Sequence, residues 1–550
     1  MIGIICKKNE GNIIAEFFEL FKTPWEFYQK NHSYDVVICT KRNTLQIEAK
    51  LLIIYSSDKT DFDTQNKIIV IPKRKKIILK YNDKYIPIYG EATTFNTPTN
   101  EGIIIKGTTE AGGIEINRNG QKILRIGYDL FQEIYFLLTY GQPIEHSRIP
   151  TLEFHISMLR DWILNSRIPL IEIPPIPLGY DFITCLTHDV DFVGIRNHKF
   201  DKTIVGFIYR ALLGSFINVL KGKTSWNRLL KNWKAVLLLP AVYLGILPDF
   251  WVQFEKYIKK EKDLFSTFFI VPYKNQGGER RGGELSKGRS VRYDINDVKS
   301  EVHRLISCGH EIGVHGINAW WDSHKGCEEF NRISLITGRS DIGIRMHWLY
   351  FTDRSPQFLE KAGYLYDSTF GYNDAVGYRA GTSQIFRPLI AKMLLEVPLI
   401  IQDTALFYPK RMNLTESRAF NLVDELLNKV KKYGGVFTIN WHHRSMAPER
   451  LWGNFYIKLL INLKKHNVWF AKASEAVKWF SMRRLICFEE AEITLNSVKL
   501  RLKGHIADQK PGLLLRIHKP NCLEPLPAFS SNSKSNYIDF PLENEIELQF

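Results

Sequence analysis

The sequence predicts an α/β protein with parallel strands, accompanied by two smaller domains. Three observations lead to this fold class. The chain has 550 residues, which is more than one ordinary domain needs. Helix-like and strand-like patterns alternate from about residue 146 to about residue 480, as in a parallel sheet with crossover helices. After about residue 485, short segments of alternating apolar and polar residues indicate strands alone.

In chain order, the sequence divides into three predicted domains. Residues 1–145 contain a helical segment and short apolar strands such as DVVICT and LLIIYS, which predict an α/β accessory domain. Residues 146–484 form the predicted main domain, and residues 485–550 a β-rich C-terminal domain. Within the main domain, residues 199–262 form a basic, apolar, helix-rich insert. Its helices fit either a lid packed on the main domain or an anionic membrane surface.

The composition favours an anionic partner. Lysine and arginine number 74 against 58 aspartates and glutamates, for a net charge of +16. This excess suits a membrane surface or an acidic glycan. Nucleic acid is not expected, because the chain has no zinc-finger spacing, RNA-binding aromatic signature or long basic tail. The seven scattered cysteines and the absence of signal-peptide features at the N-terminus predict a cytoplasmic protein.

Two strand-like segments end in residues that can do chemistry. In CLTHDVDFV, residues 185–193, Asp189 and Asp191 face the same side of a strand, and their like charges need compensation by a metal ion or a catalytic role. In GHEIGVHG, residues 309–316, a second short strand ends at His315. The C-terminal ends of strands in an α/β barrel converge on one face. These three side chains therefore predict a zinc site with room for a general base.

Five segments, in this order, resemble the motifs of the polysaccharide deacetylases, also called carbohydrate esterase family 4. They are THDVD (187–191), GHEIGVH (309–315), GIRMHWLYF (343–351), YDSTFGYNDAVGYRAGTS (366–383) and VFTINWHH (436–443). The resemblance implies a deformed (β/α) barrel as the catalytic domain. The five motifs most resemble those of a subgroup that has an extra N-terminal domain and is often associated with surface-polysaccharide biosynthesis.

The same resemblance implies a role for each matching residue. Asp189 corresponds to the general base, and Asp191 and His315 correspond to metal ligands. Arg345 corresponds to the arginine that orients the catalytic aspartate, and His442 to the histidine acid.

One position departs from the family pattern. The second motif normally has another histidine four residues after the first, where this chain has Ala319. His347 is the first candidate to replace that ligand, because on a strand it faces the same side as Arg345. His324 is the reserve candidate.

Three further residues are candidates for substrate binding. They are Arg379, Asp367 and Trp320. Each also has a structural alternative: an ion pair for the arginine, a turn for the aspartate and core packing for the tryptophan.

The resemblance implies a metal-dependent hydrolase, with zinc as the expected metal and an N-acetylated carbohydrate as the substrate. A cytoplasmic location favours a lipid-linked or nucleotide-linked sugar precursor. Two alternatives stay open. The domain could hydrolyse another C–N bond, such as that of a ureide or cyclic amide, or it could be a catalytically silent scaffold that binds glycans or a membrane surface. Bound zinc would distinguish an active enzyme from a silent scaffold. Release of acetate would distinguish a deacetylase from a hydrolase of another C–N bond.

Overall fold

The computed structural model describes residues 1–42, 47–96, 103–199, 201–222, 225–279, 289–450, 452–504, 510–520 and 536–549. The chain forms two compact units. The first unit consists of Met1–Gly179, Ala380–Leu389 and Trp479–Phe550, and the second of Tyr180–Arg379 and Ile390–Lys478. The division into three domains at residues 145 and 484 stays a prediction.

Strands and helices follow each other along the whole chain. The strands are β1 (Ile2–Ile5), β2 (Trp25–Phe27), β3 (Tyr34–Cys39), β4 (Ala49–Tyr55), β5 (Val70–Tyr81), β6 (Lys84–Phe95), β7 (Ile104–Ile105), β8 (Gly113–Arg118), β9 (Gln121–Ile126), β10 (Leu170–Glu172), β11 (Phe182–Val190), β12 (Ser266–Ile270), β13 (Glu311–Gly316), β14 (Ile344–Met346), β15 (Tyr366–Asp367), β16 (Leu395–Glu396), β17 (Ile401–Gln402), β18 (Val436–Asn440), β19 (Val468–Phe470), β20 (Cys487–Ile493), β21 (Ser497–Lys503), β22 (Leu514–Lys519), β23 (Asn536–Pro541) and β24 (Glu545–Gln549). The α-helices are α1 (Gly11–Phe21), α2 (Asp61–Gln65), α3 (Leu130–Thr139), α4 (Thr151–Asn165), α5 (Lys202–Tyr209), α6 (Ser215–Leu220), α7 (Trp226–Leu237), α8 (Leu239–Tyr243), α9 (Phe254–Lys260), α10 (Lys299–Ser307), α11 (Ser323–Thr337), α12 (Ser355–Lys361), α13 (Asp403–Phe407), α14 (Glu416–Tyr433), α15 (Gly453–Leu463) and α16 (Ala473–Leu485).

The second unit is built on one sheet of parallel strands. Within the described residues the order is β16-β15-β14-β13-β12-β11-β18-β17, with β19 also paired to β11. Every pairing in this sheet is parallel. The order follows the chain from β11 to β16, and β17 and β18 lead back to β11, so the strands run around a barrel. Across the described strands, β16 and β17 are the unjoined ends of the sheet. The predicted deformed (β/α) barrel is confirmed.

The central strand of this barrel, β11, explains why charged residues end an apolar run. All nine of its residues are buried, because it pairs with β12 on one side and with β18 and β19 on the other. A parallel strand covered on both faces is normally apolar throughout. Here Phe182, Leu186 and Val190 belong to the barrel core, while polar residues occupy the C-terminal end. That end is where a barrel places its functional groups.

The helices around the barrel show ordinary amphipathic patterning. In α14 the buried residues recur at helical spacing: Ala419, Val423, Leu426, Leu427 and Val430. The Thr415 side chain accepts a hydrogen bond from the backbone N–H of Arg418 and so caps the N-terminus. The helix ends at Tyr433 and is followed by Gly434, whose φ of 81° is accessible to glycine without strain.

The first unit contains an α/β part and separate antiparallel sheets. Its six-stranded sheet has the order β2-β1-β3-β4-β9-β8 and is parallel except for the β8–β9 pair. Strands β20, β21 and β24 form one antiparallel sheet, and β22 and β23 form another with β10. The predicted N-terminal α/β and C-terminal all-β parts are both confirmed.

The basic insert folds as a small helical layer of the second unit. A continuous helical run, Lys202–Leu220, contains a π-helical turn at Arg210–Gly214. Buried apolar side chains of the insert share a cluster with Ala447, which follows β18; they include Ile204, Phe207, Leu239, Val242 and Trp251. One face of the insert therefore packs against the barrel.

The other face of the insert exposes apolar side chains. Leu220 is 68% exposed, Leu237 80% and Leu244 76%. Lys202–Leu220 is one helical run that is long and apolar enough to cross a membrane by length and composition, and 22% of it is buried. The anionic membrane partner stays a prediction.

Candidate functional site

Five side chains singled out from the sequence line one cavity at the C-terminal ends of the parallel strands. The cavity has a volume of about 390 Å³. The five are Asp189, Asp191, His315, His347 and His442. They converge because β11, β13, β14 and β18 run in the same direction and end at the same edge of the barrel.

The carboxylate of Asp189 is buried and hydrogen-bonded through both oxygens. Arg345 Nη1 donates to Oδ1 at 3.0 Å, and Asn440 Nδ2 donates to Oδ2 at 2.7 Å. Arg345 also donates to Thr187 Oγ1 at 2.7 Å and to the carbonyl of Ser368 at 2.9 Å. Burial raises the pKa of Asp189, but the charge of Arg345 and the nearby histidines outweigh burial and hold this pKa below its usual value. Asp189 is therefore ionised at neutral pH.

A candidate metal centre lies beside Asp189. One ligand atom from each of Asp191, His315 and His347 lies within 4.8 Å of the others. Asp191 Oδ1 is 2.9 Å from His315 Nε2 and 3.5 Å from His347 Nε2. His315 Nδ1 lies 3.0 Å from the carbonyl of Arg345, which places the proton on Nδ1 and leaves Nε2 free to bind a metal.

The protonation of these groups suits metal binding. Burial lowers the pKa of His347 to about 3, so its imidazole is neutral at pH 7. Burial acts to raise the pKa of Asp191, but His347, His315 and His442 outweigh it and lower this pKa. Metals bind deprotonated carboxylates and neutral imidazoles. The carboxylate of Asp191 with the imidazoles of His315 and His347 fits a divalent metal with open coordination positions.

His347 reaches the centre from a turn and not, as predicted, from a strand. The strand β14 ends at Met346, and His347–Leu349 form a 3-10 turn. The buried Arg289 guanidinium donates to the carbonyl of His347 at 2.9 Å and to that of Ile317 at 2.8 Å. These hydrogen bonds connect the turn to the chain after β13, and so support the position of the imidazole.

The two other positions considered for the third ligand lie elsewhere. Ala319 is fully buried and belongs to the barrel core. His324 is exposed in the first turn of α11, and it is not part of the donor group formed by Asp191, His315 and His347.

His442 lies close to both aspartates in the same cavity. Its Nε2 is 3.6 Å from Asp191 Oδ2 and 4.0 Å from Asp189 Oδ2. Its Nδ1 lies 2.6 Å from Oδ1 of Asp403, a fully buried residue at the start of α13. Burial lowers the pKa of His442, but Asp403 and the two aspartates outweigh burial and raise it to about 9. His442 is therefore protonated at neutral pH.

Asp403→Asn is expected to lower the pKa of His442 in metal-free protein by about 1 to 3 pH units, because it removes a negative charge in direct contact with the ring. A histidine-labelled NMR titration measures this change, with the His442 signal assigned through His442→Gln. Asp353→Asn removes an exposed carboxylate and should leave the pKa unchanged. An unchanged pKa in Asp403→Asn would show that Asp403 does not control the charge of His442.

Several solved structures are similar to this chain over part of its length. The polysaccharide deacetylase Bc1974 from Bacillus cereus matches at 12% identity and a TM-score of 0.26, over 53% of this chain and 91% of that one. This chain is similar to polysaccharide deacetylases. The allantoinase Puue matches at 14% identity and a TM-score of 0.33, over 56% and 93% of the two chains. A CE4 family pseudoenzyme from Bacillus anthracis matches at 11% identity and a TM-score of 0.23, over 56% and 70%.

No family model and no curated protein matches the chain. The TM-scores above lie below 0.5. The function proposed below therefore rests on the geometry of the site.

The three residues predicted to bind substrate have structural partners outside the cavity lining. Asp367 is fully buried and accepts the backbone N–H of Thr369 at 3.0 Å, and burial raises its pKa to about 6. Arg379 donates to the carbonyl of Gly371 at 2.9 Å. Trp320 is 5% exposed and belongs to the barrel core. Their roles in substrate binding stay predictions.

Two residues at the site were not singled out from the sequence. Asn440 lies opposite Thr187 in the β11–β18 pairing, which brings its amide to the carboxylate of Asp189. Asp403 follows the short strand β17 and contacts His442. Both follow the pattern that revealed Asp189, a polar residue at the end of an apolar run (FTIN and LIIQD). That pattern could have identified them.

Proposed function

We propose that this protein is a metal-dependent hydrolase that removes the acetyl group from an N-acetylated amino sugar in a glycan or glycan precursor. One observation supports the proposal above others. An ionised carboxylate, Asp189, and a protonated imidazole, His442, lie 4.0 Å apart in a cavity that is also lined by a three-residue metal donor set. Metal-assisted hydrolysis of an amide uses these three elements: a base, an acid and a Lewis acid.

Asp189 acts as the general base in this proposal. Its Oδ2, which accepts a hydrogen bond from Asn440, is also the oxygen that lies 4.0 Å from Nε2 of His442. It takes a proton from the attacking water as the water oxygen bonds to the acetyl carbon. Arg345 keeps the carboxylate ionised and in one orientation through its contact with Oδ1.

His442 acts as the general acid. Its Nε2–H is directed into the cavity, because Nδ1 is in contact with Asp403. When the C–N bond breaks, Nε2 gives its proton to the sugar nitrogen, which leaves as the free amine while the acetyl group leaves as acetate. Asp403 stabilises the charged imidazole between turnovers.

A divalent metal bound by Asp191, His315 and His347 would supply Lewis-acid activation of the acyl oxygen and of water. We propose zinc, because a carboxylate and two imidazoles with open positions are typical of catalytic zinc sites. The six described cysteines are unpaired, which supports the proposed cytoplasmic location.

Bound metal is the first test of this function. After zinc is supplied and excess removed, elemental analysis is expected to find about one zinc ion per wild-type chain. His315→Ala and His347→Ala should each lose the metal, because each removes one of three donors. His324→Ala is the matched control, since it removes an exposed histidine outside the donor set, and it should keep the metal. A metal-free wild type would favour the silent scaffold.

Acetate release tests the reaction itself. With N-acetylglucosamine oligomers, the zinc-loaded protein is expected to release acetate and free amine in equal amounts. A protein that binds zinc and releases no acetate, but opens a cyclic amide or ureide, would instead be a hydrolase of another C–N bond.

A further inference from the structure

The cavity contains more positive charge than the proposed reaction uses. Four arginines line it in addition to the structural Arg289; they are Arg210, Arg411, Arg444 and Arg450. Arg411 is 3.5 Å from the exposed carboxylate of Asp374. The other three, Arg210, Arg444 and Arg450, are called the arginine cluster below. Arg210 comes from the helical insert, and the other two follow β18.

The arginine cluster is only partly neutralised by the protein. Arg444 Nε donates to the buried Glu449 at 2.8 Å. In the described part of the chain, no ion pair joins Arg210 or Arg450 to a carboxylate. Arg450 lies over the rings of Tyr408 and Trp452, at 5.2 and 5.0 Å from their centres. Three guanidinium groups thus share one close carboxylate.

Two donors of the cluster have no hydrogen-bond partner within the described residues. Arg444 is 5% exposed and lies 3.7 Å from the ring centre of Trp251, yet its Nη2 is unpaired. The Nε of Arg210 is also buried and unpaired. Leaving a buried charged donor unpaired is costly. Both arginines line the cavity, so an anionic ligand bound there would supply charge that the protein itself does not provide.

The closeness of Arg210 to Arg450 also favours an anionic ligand at this place. Burial lowers the pKa of Arg210, and the nearby charge of Arg450 lowers it further, so the two repel each other. Both act on Tyr408: burial would raise its pKa, but the two guanidinium groups outweigh burial and lower it. Arg210 also begins the π-helical turn of the insert, a feature that is frequent at functional sites.

We propose that the arginine cluster binds a phosphate or diphosphate ester carried by the amino-sugar substrate. This inference rests on the proposed deacetylase function, because it describes the substrate of the same cavity. A planar guanidinium group can donate two parallel hydrogen bonds to two oxygens of one phosphate. A phosphate has enough acceptor oxygens to bind several guanidinium groups. The acetamido sugar would then lie at Asp189 and His442, with its phosphate at the insert. Its source would be a nucleotide-linked or a lipid-linked sugar, which share this chemistry.

Binding of inorganic pyrophosphate tests the inference without catalysis. Calorimetry is done on the full chain in a His315→Ala background, so that a bound metal does not contribute. In that background, Arg210→Gln and Arg450→Gln are each expected to weaken pyrophosphate binding about tenfold to a hundredfold, because each removes a charged hydrogen-bond donor. Arg304→Gln removes an exposed arginine of α10 that pairs with Glu255; it is the matched control and should bind as the parent does.

Folding is checked separately, because Arg450 lies over the rings of Tyr408 and Trp452 and Arg210 is part of the helical insert, so that either substitution could also lower the stability of the protein. The thermal midpoint of each variant is measured beside its binding constant, and Arg450→Lys, which keeps the charge, should bind with intermediate affinity. The inference is overturned if the parent does not bind pyrophosphate, or if folded variants bind it as tightly as the parent. It is also overturned if glucuronic acid binds as tightly as pyrophosphate, since the subsite would then select carboxylates.

Competition identifies the source of the phosphate. Displacement of pyrophosphate by uridine diphosphate, but weakly by farnesyl diphosphate in detergent micelles, supports a nucleotide-linked sugar. The reverse order supports a lipid-linked sugar and fits the exposed apolar face of the insert. The two proposals can fail separately. A protein that binds pyrophosphate but neither binds zinc nor releases acetate would contradict the deacetylase function. A protein that binds zinc and releases acetate but does not bind pyrophosphate would contradict the proposed role of the arginine cluster.

Discussion

Asp189→Asn is expected to lower the rate of acetate release by about 10²- to 10⁴-fold, while the protein keeps its zinc. The substitution preserves the size of the side chain but removes its ability to accept a proton. Asp189 is not part of the donor set formed by Asp191, His315 and His347. The loss should therefore appear in kcat and leave the metal content unchanged.

The neighbouring aspartate is the matched control for this prediction. Asp191→Asn removes a metal donor and should lose both zinc and activity, so the two variants separate the base from the ligand. Elemental analysis and acetate release are measured on the same preparations. Loss of zinc in Asp189→Asn would reassign Asp189 as a ligand, and near-normal activity would exclude it as the base.

Arg345→Leu is expected to lower the free energy of unfolding by about 3–5 kcal/mol. Arg345 is fully buried, and its guanidinium contacts Asp189, Thr187, Ser368 and the ring of Phe269. Without it, the buried carboxylate of Asp189 loses its hydrogen-bonded charged partner and keeps only the more distant His442, at 4.0 Å, and a buried charge that is poorly paired is strongly destabilising. Chemical denaturation of metal-free protein measures the change as a lower midpoint.

Two comparisons make this prediction specific. Arg339→Leu breaks the surface pair of Arg339 with Asp341 and should cost at most about 1 kcal/mol. Arg345→Leu should cost less in an Asp189→Asn background than alone, because the orphaned charge is then absent. Equal costs in both backgrounds would show that lost packing, and not the charge of Asp189, explains the effect.

The fold was largely predictable because its signals are local. A helix pattern is set by residues three to four positions apart and a strand pattern by residues two positions apart. Neither pattern depends on contacts between distant parts of the chain. The extent of individual strands was less predictable. β14 ends at Met346, before His347, where buried hydrogen bonds from Arg289 support a turn. Those bonds join residues 58 positions apart.

The candidate site was predictable where a strand end by itself places the residue. Asp189, Asp191, His315 and His442 all lie at or just after the ends of parallel strands, and they meet because those ends share one edge. The same reasoning did not extend to Arg379, a candidate for substrate binding. It faces the carbonyl of Gly371 and the ring of Phe370.

The sequence by itself determined the alternation of helices with parallel strands and the residue types at the strand ends, because periodicity and residue type are local properties. The deformed barrel was an expectation from the resemblance to polysaccharide deacetylases, and the order of its strands was decided by the tertiary structure. The tertiary structure decided which groups control that chemistry. Asn440 meets Asp189 from 251 residues away, and Asp403 meets His442 from 39 residues away. It also decided that arginines of the insert and of the segment after β18 share the cavity. The burial and mutual distance of charged groups set their pKa values and their binding partners, and neither quantity can be read from the order of residues along the chain.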